Sequence, residues 1–205
     1  MYPPKRMLRT ALLLASAALC PHLPARGAEP AGIEEILPSC LSCHGELGIS
    51  SMPGVPSLAG QPDGFLQWQM VYFRSKNRKS DVMEPLAASL KDGQIRALGA
   101  YFAALAPPRP DQVPDPDPDP ALSARGRQLT GTRRCTSCHG DAFDGAKAAA
   151  RIAGQREDYL YKALTDYRDG RRVGGGVAAM PDAVFGMTSD DLTALAHFLS
   201  RFPNP

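Results

Sequence analysis

The sequence lacks a strong excess of charge of either sign. It contains 23 Lys and Arg against 21 Asp and Glu, a formal net charge of +2. Residues 1–27 hold four of these cations and no anion, so a mature chain without them would carry 19 cations against 21 anions, near −2. Proteins that bind nucleic acid show a basic patch or stripe. The composition therefore gives no case for nucleic acid as a partner.

The sequence also lacks an apolar run long enough to cross a membrane comfortably, which takes about 20 residues. The run TALLLASAALC follows Lys5, Arg6 and Arg9 and precedes a small-residue stretch. This order is typical of a secretory signal, here with cleavage after residue 27 or 28. An uncleaved anchor and a lipidated Cys20 are the alternatives, and the large residue before Cys20 disfavours the second. We expect residues 1–28 to be a cleaved signal peptide of an exported protein.

Aromatic residues are scarce, at 7% of the chain, and no stretch alternates apolar with polar residues as a strand does. Residues 106–120, APPRPDQVPDPDPDP, predict a semi-rigid Pro/Asp-rich linker. It separates residues 29–105 from residues 121–205. Domains of about 80 residues with few aromatics have marginal cores. We therefore expect a covalent or metallic group to fill each core.

The two segments are copies of one another. LAGQPDGFLQWQMVYFRSKNRK at 58–79 aligns with IAGQREDYLYKALTDYRDGRRV at 152–173. After a short length difference near the glycines at 174–176, the final helical patterns align as well. Each copy predicts a short helix, a CxxCH motif, a loop, a helix, a distal loop and a closing helix, so the predicted fold class is all-α. Gly32 and Gly126, shortly before the motifs, would let the first and last helices cross closely.

The motifs CLSCHG at 40–45 and CTSCHG at 135–140 have three interpretations. A redox dithiol needs a βαβ setting, which the sequence does not offer. Zinc needs four ligands, more than one copy easily supplies. Covalent attachment of c-type haem explains the spacing, the adjacent histidine, the repeat and the missing core volume together. We therefore predict two covalently bound haem c groups. Their thioether residues would be Cys40, Cys43, Cys135 and Cys138, and their proximal iron ligands His44 and His139.

A haem built for electron transfer needs its sixth iron ligand filled as well, and methionine is the common choice. Only Met83 and Met180 occupy equivalent places in the two copies. Met70 and Met187 are matched by leucines, which indicates core packing, and Met52 follows the first motif too closely to cross to the far side. Met83 and Met180 are therefore the predicted distal ligands.

These features in combination resemble class I cytochrome c: CxxCHG, an AGQ stretch, an aromatic–Leu helix with an arginine-rich end, a distal methionine and a closing helix. The tandem resembles the dihaem cytochrome c4 family over essentially the whole mature chain. The resemblance implies two tandem class I cytochrome c domains with His/Met ligation at both irons. It also implies single-electron transfer in the periplasm. The implied partners are redox proteins, such as a terminal oxidase, a membrane cytochrome complex or a dehydrogenase, with no small-molecule substrate and no enzymatic activity.

Two other functions stay open. One is a cytochrome subunit bound permanently to a dehydrogenase, such as a flavocytochrome sulfide dehydrogenase. The other is a catalytic dihaem protein of the peroxidase sort, which needs an open iron position. Two distal methionines argue against the second.

The resemblance further implies that the carbonyl of Pro56 accepts a hydrogen bond from the proximal His44. The second copy has Ala150 at that position, so we expect His139 to be less firmly oriented. The basic run RSKNRKS at 74–80 is expected to be a solvated helix end rather than a docking patch. His197, matched by Ala100, is expected to lie on the surface.

Overall fold

The computed structural model describes residues 32–108, 117–173 and 179–202. The predicted signal peptide, the central part of the linker and the glycines at 174–176 lie outside these ranges, so the predictions made for them stay predictions. Among the helices of the described ranges, none is both long and apolar enough to cross a membrane.

All regular secondary structure in the described ranges is helical, which confirms the all-α prediction. Two isolated bridges, one of them between Arg78 and Arg172, are the only strand-like pairings there. The first half contains four helices and the second half five. They are α1 (Leu37–His44), α2 (Asp63–Arg74), α3 (Met83–Ala88), α4 (Asp92–Ala103), α5 (Pro120–Thr132), α6 (Thr136–His139), α7 (Glu157–Arg168), α8 (Ala179–Val184) and α9 (Ser189–Ser200).

The first half has its own apolar core, formed where α2 packs against α4. The apolar residues of these helices recur at helical spacing and therefore face each other. Burying each large aliphatic side chain stabilises the fold by about 1.5–3 kcal/mol. At the start of helix α4, the side-chain oxygen of Gln94 accepts a hydrogen bond from the backbone N–H of Lys91, 3.0 Å away. The buried core residues are Ile33, Leu37, Leu66, Leu90, Ile95, Leu98 and Phe102.

The second half is built around the crossing of α5 and α9. A Cβ added at Gly126 in α5 would lie 2.2 Å from the carbonyl oxygen of Ala194 in α9, so only glycine permits this approach. The prediction for Gly126 is confirmed. The prediction for Gly32 is wrong, because nothing lies within 4 Å of the added Cβ there. Gly32 instead adopts a positive φ of 101°, which glycine tolerates best.

The two halves are joined by a symmetric pair of glutamines from the AGQ stretches. Gln61 Nε2 donates to the carbonyl of Arg151 at 2.8 Å, and Gln61 Oε1 accepts from the Arg151 N–H at 3.0 Å. Gln155 makes the same two bonds with the backbone of Ser57, at 2.8 and 2.9 Å. Gln61 and Gln155 are equivalent in the repeat, as are Ser57 and Arg151. We call these four bonds the glutamine clasp.

His197 is buried, so the prediction of a surface histidine is wrong. Its Nε2 lies 2.9 Å from Asp117 Oδ1 and its Nδ1 lies 3.3 Å from Glu157 Oε1. Arg201 also bonds Glu157. A polar side chain can be buried when its nitrogens have hydrogen-bond partners, as those of His197 do here. The cluster fixes the end of the linker to α7 and α9, and α5 begins at Pro120, the last residue of the predicted linker.

Replacing Gly126 by alanine is expected to lower the free energy of unfolding. Alanine normally stabilises a helix interior by about 0.5–1 kcal/mol relative to glycine, but overpacking at the α5–α9 crossing costs about 1–3 kcal/mol. Gly131→Ala is the matched control, because a Cβ at Gly131 of the same helix meets nothing within 4 Å. Urea unfolding measures both. Equal stabilisation by the two variants would contradict the crossing geometry.

The carboxyl of Asp117 is expected to titrate well below its usual range. A hydrogen bond from Ser123 is the largest cause, helped by the Asp119 N–H and His197, and the pKa of Asp117 falls from 3.8 to about 2. The lowered pKa contributes stability above about pH 4, and this contribution is lost as the pH falls towards 2. Carbonyl ¹³C NMR measures the titration. Ser123→Ala should raise the pKa, and Thr132→Ala on the same helix should leave it unchanged.

Candidate haem sites

The first CxxCH motif lies on α1, which ends at His44. Gly45 then takes a φ of +86°, and a Cβ there would lie 2.1 Å from the carbonyl oxygen of Ile49. The turn returns the loop over the histidine, and His44 Nδ1 lies 2.8 Å from the carbonyl oxygen of Pro56. The predicted bond between these two residues is confirmed.

The second motif has the same geometry on a shorter helix. Cys135 precedes α6, and His139 ends it. His139 Nδ1 lies 2.7 Å from the carbonyl oxygen of Ala150. The expectation of a less firmly oriented His139 is therefore wrong. The bond uses a backbone carbonyl, which alanine supplies as well as proline does.

Both histidines are arranged as neutral ligands. A carbonyl oxygen only accepts, so Nδ1 of each ring carries the proton and Nε2 keeps its lone pair. Burial lowers the pKa of His44 and of His139, although the bond to the carbonyl opposes this. The charge of Arg78 lowers the pKa of His44 further. A metal-binding imidazole is typically fixed by this kind of bond from its other nitrogen.

The cysteines do not fit the two competing interpretations of the motif. All four in the described ranges are free thiols, and burial raises the pKa of Cys40 and of Cys135. The first thiol of each motif is therefore not the activated, low-pKa thiol that serves as nucleophile in a CxxC redox site. Zinc needs four ligands, and the described part of the chain contains no group of three or more His, Cys, Asp and Glu able to hold a metal ion.

The surroundings of the methionines agree with the roles that their positions in the repeat predict. Met187 is buried in the second core, and Met70 packs against the first. Met52 is 43% exposed. Met83 is the first residue of α3, which packs against α2, and Met180 lies on α8 against the second core. Met83 and Met180 remain the candidates for distal ligands.

Two arginines missed by the sequence analysis meet between the halves. Arg78 and Arg172 are equivalent in the repeat and form one of the isolated bridges. The guanidinium of Arg78 lies 4.5 Å from the ring centre of Phe73, and that of Arg172 lies 4.6 Å from the ring centre of Tyr167. The prediction of a solvated basic run is therefore wrong for Arg78. A comparison of equivalent positions in the two copies, which selected Met83 and Met180, would also have identified Arg78 and Arg172.

This arginine pair fits a cofactor that carries carboxylates. Within residues 32–108, 117–173 and 179–202, no carboxylate lies within ion-pair distance of either guanidinium. Burying a guanidinium ion without a counter-ion costs roughly several kcal/mol. Haem carries two propionates, which would supply the missing negative charge. The effect of Arg78 on the pKa of His44 shows that the pair lies near the first motif.

Comparisons with known proteins agree with this chemistry. The cytochrome c family model matches residues 123–202. The chain is 30% identical to cytochrome c4 of Thiocapsa roseopersicina, over 78% of this chain and 85% of that protein. It is also 30% identical to the thiosulfate dehydrogenase electron acceptor of Thiomonas intermedia, over 80% and 79%. The crystal structure of reduced recombinant cytochrome c4 from Pseudomonas stutzeri matches with a TM-score of 0.72 and 27% identity, over 80% and 93%.

Proposed function

The chain belongs to the cytochrome c4 family of dihaem electron-transfer cytochromes, and we propose that each of its two haem c groups is held by one domain through two cysteines, a proximal histidine and a distal methionine. The residues are Cys40, Cys43, His44 and Met83 in domain 29–105, and Cys135, Cys138, His139 and Met180 in domain 121–205. Residues 106–120 join the domains, and residues 1–28 direct export to the periplasm.

The observation that carries this proposal is the matched pair of histidines. Each ring is neutral, buried and fixed by a bond of 2.7 or 2.8 Å from Nδ1 to a backbone carbonyl, which leaves Nε2 as the ligand atom. When bound, haem iron supplies a one-electron couple, and methionine opposite histidine raises its reduction potential. The chain's part is to orient both rings, exclude water from the iron and supply positive charge beside the propionates.

The protein then acts as a carrier rather than as an enzyme. With His44 and Met83, or His139 and Met180, as ligands, a bound haem iron would have no open position for a substrate. The apolar cores would shield a bound haem from water, and the glutamine clasp keeps the two domains in contact. We propose a free periplasmic carrier that passes single electrons between redox proteins.

A second candidate is a cytochrome that serves one dehydrogenase. The similarity to a protein named a thiosulfate dehydrogenase electron acceptor supports this candidate. Its partner would be a dehydrogenase that oxidises a reduced sulfur compound. Purification from the native host under non-denaturing conditions separates the two candidates. A carrier elutes alone at its monomer or dimer mass, and a permanent subunit elutes with a larger, catalytically active partner.

Carbon monoxide tests the ligand assignment. The reduced wild-type protein should contain two haems per chain and show no spectral change with carbon monoxide, because both irons have six ligands. Met83→Ala and Met180→Ala should each open one of the two haems, and the double variant should open both. Met52→Ala is the control and should open neither.

Prompt carbon monoxide binding to one haem of the wild-type protein would sink the carrier assignment and favour a catalytic dihaem protein. Binding in the Met52→Ala protein, with none in Met83→Ala, would instead show that the first distal ligand was assigned to the wrong methionine.

A further inference from the structure

Gln69 is a buried side chain of α2 that bonds an arginine from each domain. Its Oε1 accepts from Arg78 Nη1 at 2.6 Å and from Arg172 Nη2 at 2.8 Å. Gln69 is 7% exposed. The equivalent residue in the second copy is Ala163, so this contact has no symmetric counterpart. One side-chain oxygen of the first domain therefore holds both members of the arginine pair.

The second domain contributes a different group to the same cluster. The hydroxyl of Tyr159 accepts from Arg78 Nη2 at 3.0 Å, and Phe65 replaces it in the first copy. Burial alone would raise the pKa of Tyr159, but the nearby charges of Arg78 and Arg172 outweigh it and lower the pKa to about 8. The arginine pair therefore acts on groups of both domains through its charge as well as through its hydrogen bonds.

An amide is well suited to this position. A guanidinium has five N–H donors, so the bond to Gln69 leaves each arginine able to donate to a second acceptor. An amide oxygen fixes both arginines without neutralising them, and their charges stay available for the propionates. A carboxylate at the same place would neutralise part of that charge.

We propose that Gln69 is a positioning residue that holds Arg78 and Arg172 together where the two domains meet, so that one side chain sets the electrostatic environment of the haem proposed for each domain. The inference rests on the proposed placement of a haem in each domain. The new element is the role of Gln69, which acts on both domains although the second copy has alanine at the equivalent position.

The test is the reduction potential of each haem in the Gln69→Glu holoprotein. A carboxylate at position 69 stabilises the more positive ferric state of any nearby haem, so both midpoints should shift to lower potential. Spectroscopic potentiometric titration, resolved into two one-electron components, measures the shifts. Gln67→Glu is the matched control, because it adds the same charge on the same helix at a half-buried side chain whose hydrogen-bond partner is Asp63 rather than an arginine. Its midpoints should stay close to those of the wild type.

A shift confined to one haem, no shift, or equal shifts in the two variants would overturn the inference. Only preparations with two haems per chain and no carbon monoxide binding enter the comparison, so a failure of the haem assignment appears separately. If Gln69→Glu does not load both haems, Gln69→Leu provides the test. Side-chain N–H exchange of both arginines, measured by NMR, should then accelerate. Unchanged exchange at either arginine would again overturn the inference.

Discussion

The two domains are held against each other by the four hydrogen bonds of the glutamine clasp. Each of its four bonds joins an amide side chain to the backbone of the other domain, and all are buried. A buried hydrogen bond contributes about 0.5–1.5 kcal/mol net, and losing one partner costs about 1–3 kcal/mol. The clasp therefore fixes the two domains in one orientation. That orientation brings Arg78 and Arg172 together, and it closes the polar cluster around them.

Repetition in the sequence predicted most of the fold and of the candidate haem sites. Equivalent positions gave the helical stripes, the CxxCH motifs and the two methionines, because the same packing and ligand requirements recur in each copy. Side-chain patterns were less informative where a contact uses the backbone. The carbonyl of Ala150 serves as well as that of Pro56, so the side-chain difference carried no information about the bond to His139.

The remaining errors concern residues that differ between the copies or lie across the domain interface. His197 is buried because Asp117 and Glu157 surround it, and these residues come together only after folding. Arg78 belongs to a basic run that is typical of a solvated helix end, yet its partner Tyr159 lies in the other domain. The sequence pattern of one copy alone predicts neither the burial of His197 nor the contact between Arg78 and Tyr159.

The clasp also bears on how the two copies were free to diverge. Because Gln61 and Gln155 bond to backbone atoms, these four bonds do not depend on which side chains stand at positions 57 and 151. These equivalent positions now hold serine and arginine, a small neutral residue and a large cation. Of the twenty residue types, only proline at position 57 or 151 would remove the backbone N–H to which the glutamine side chain bonds. A duplicated domain pair joined in this way can accumulate different side chains at equivalent buried positions and still close through the same backbone contacts.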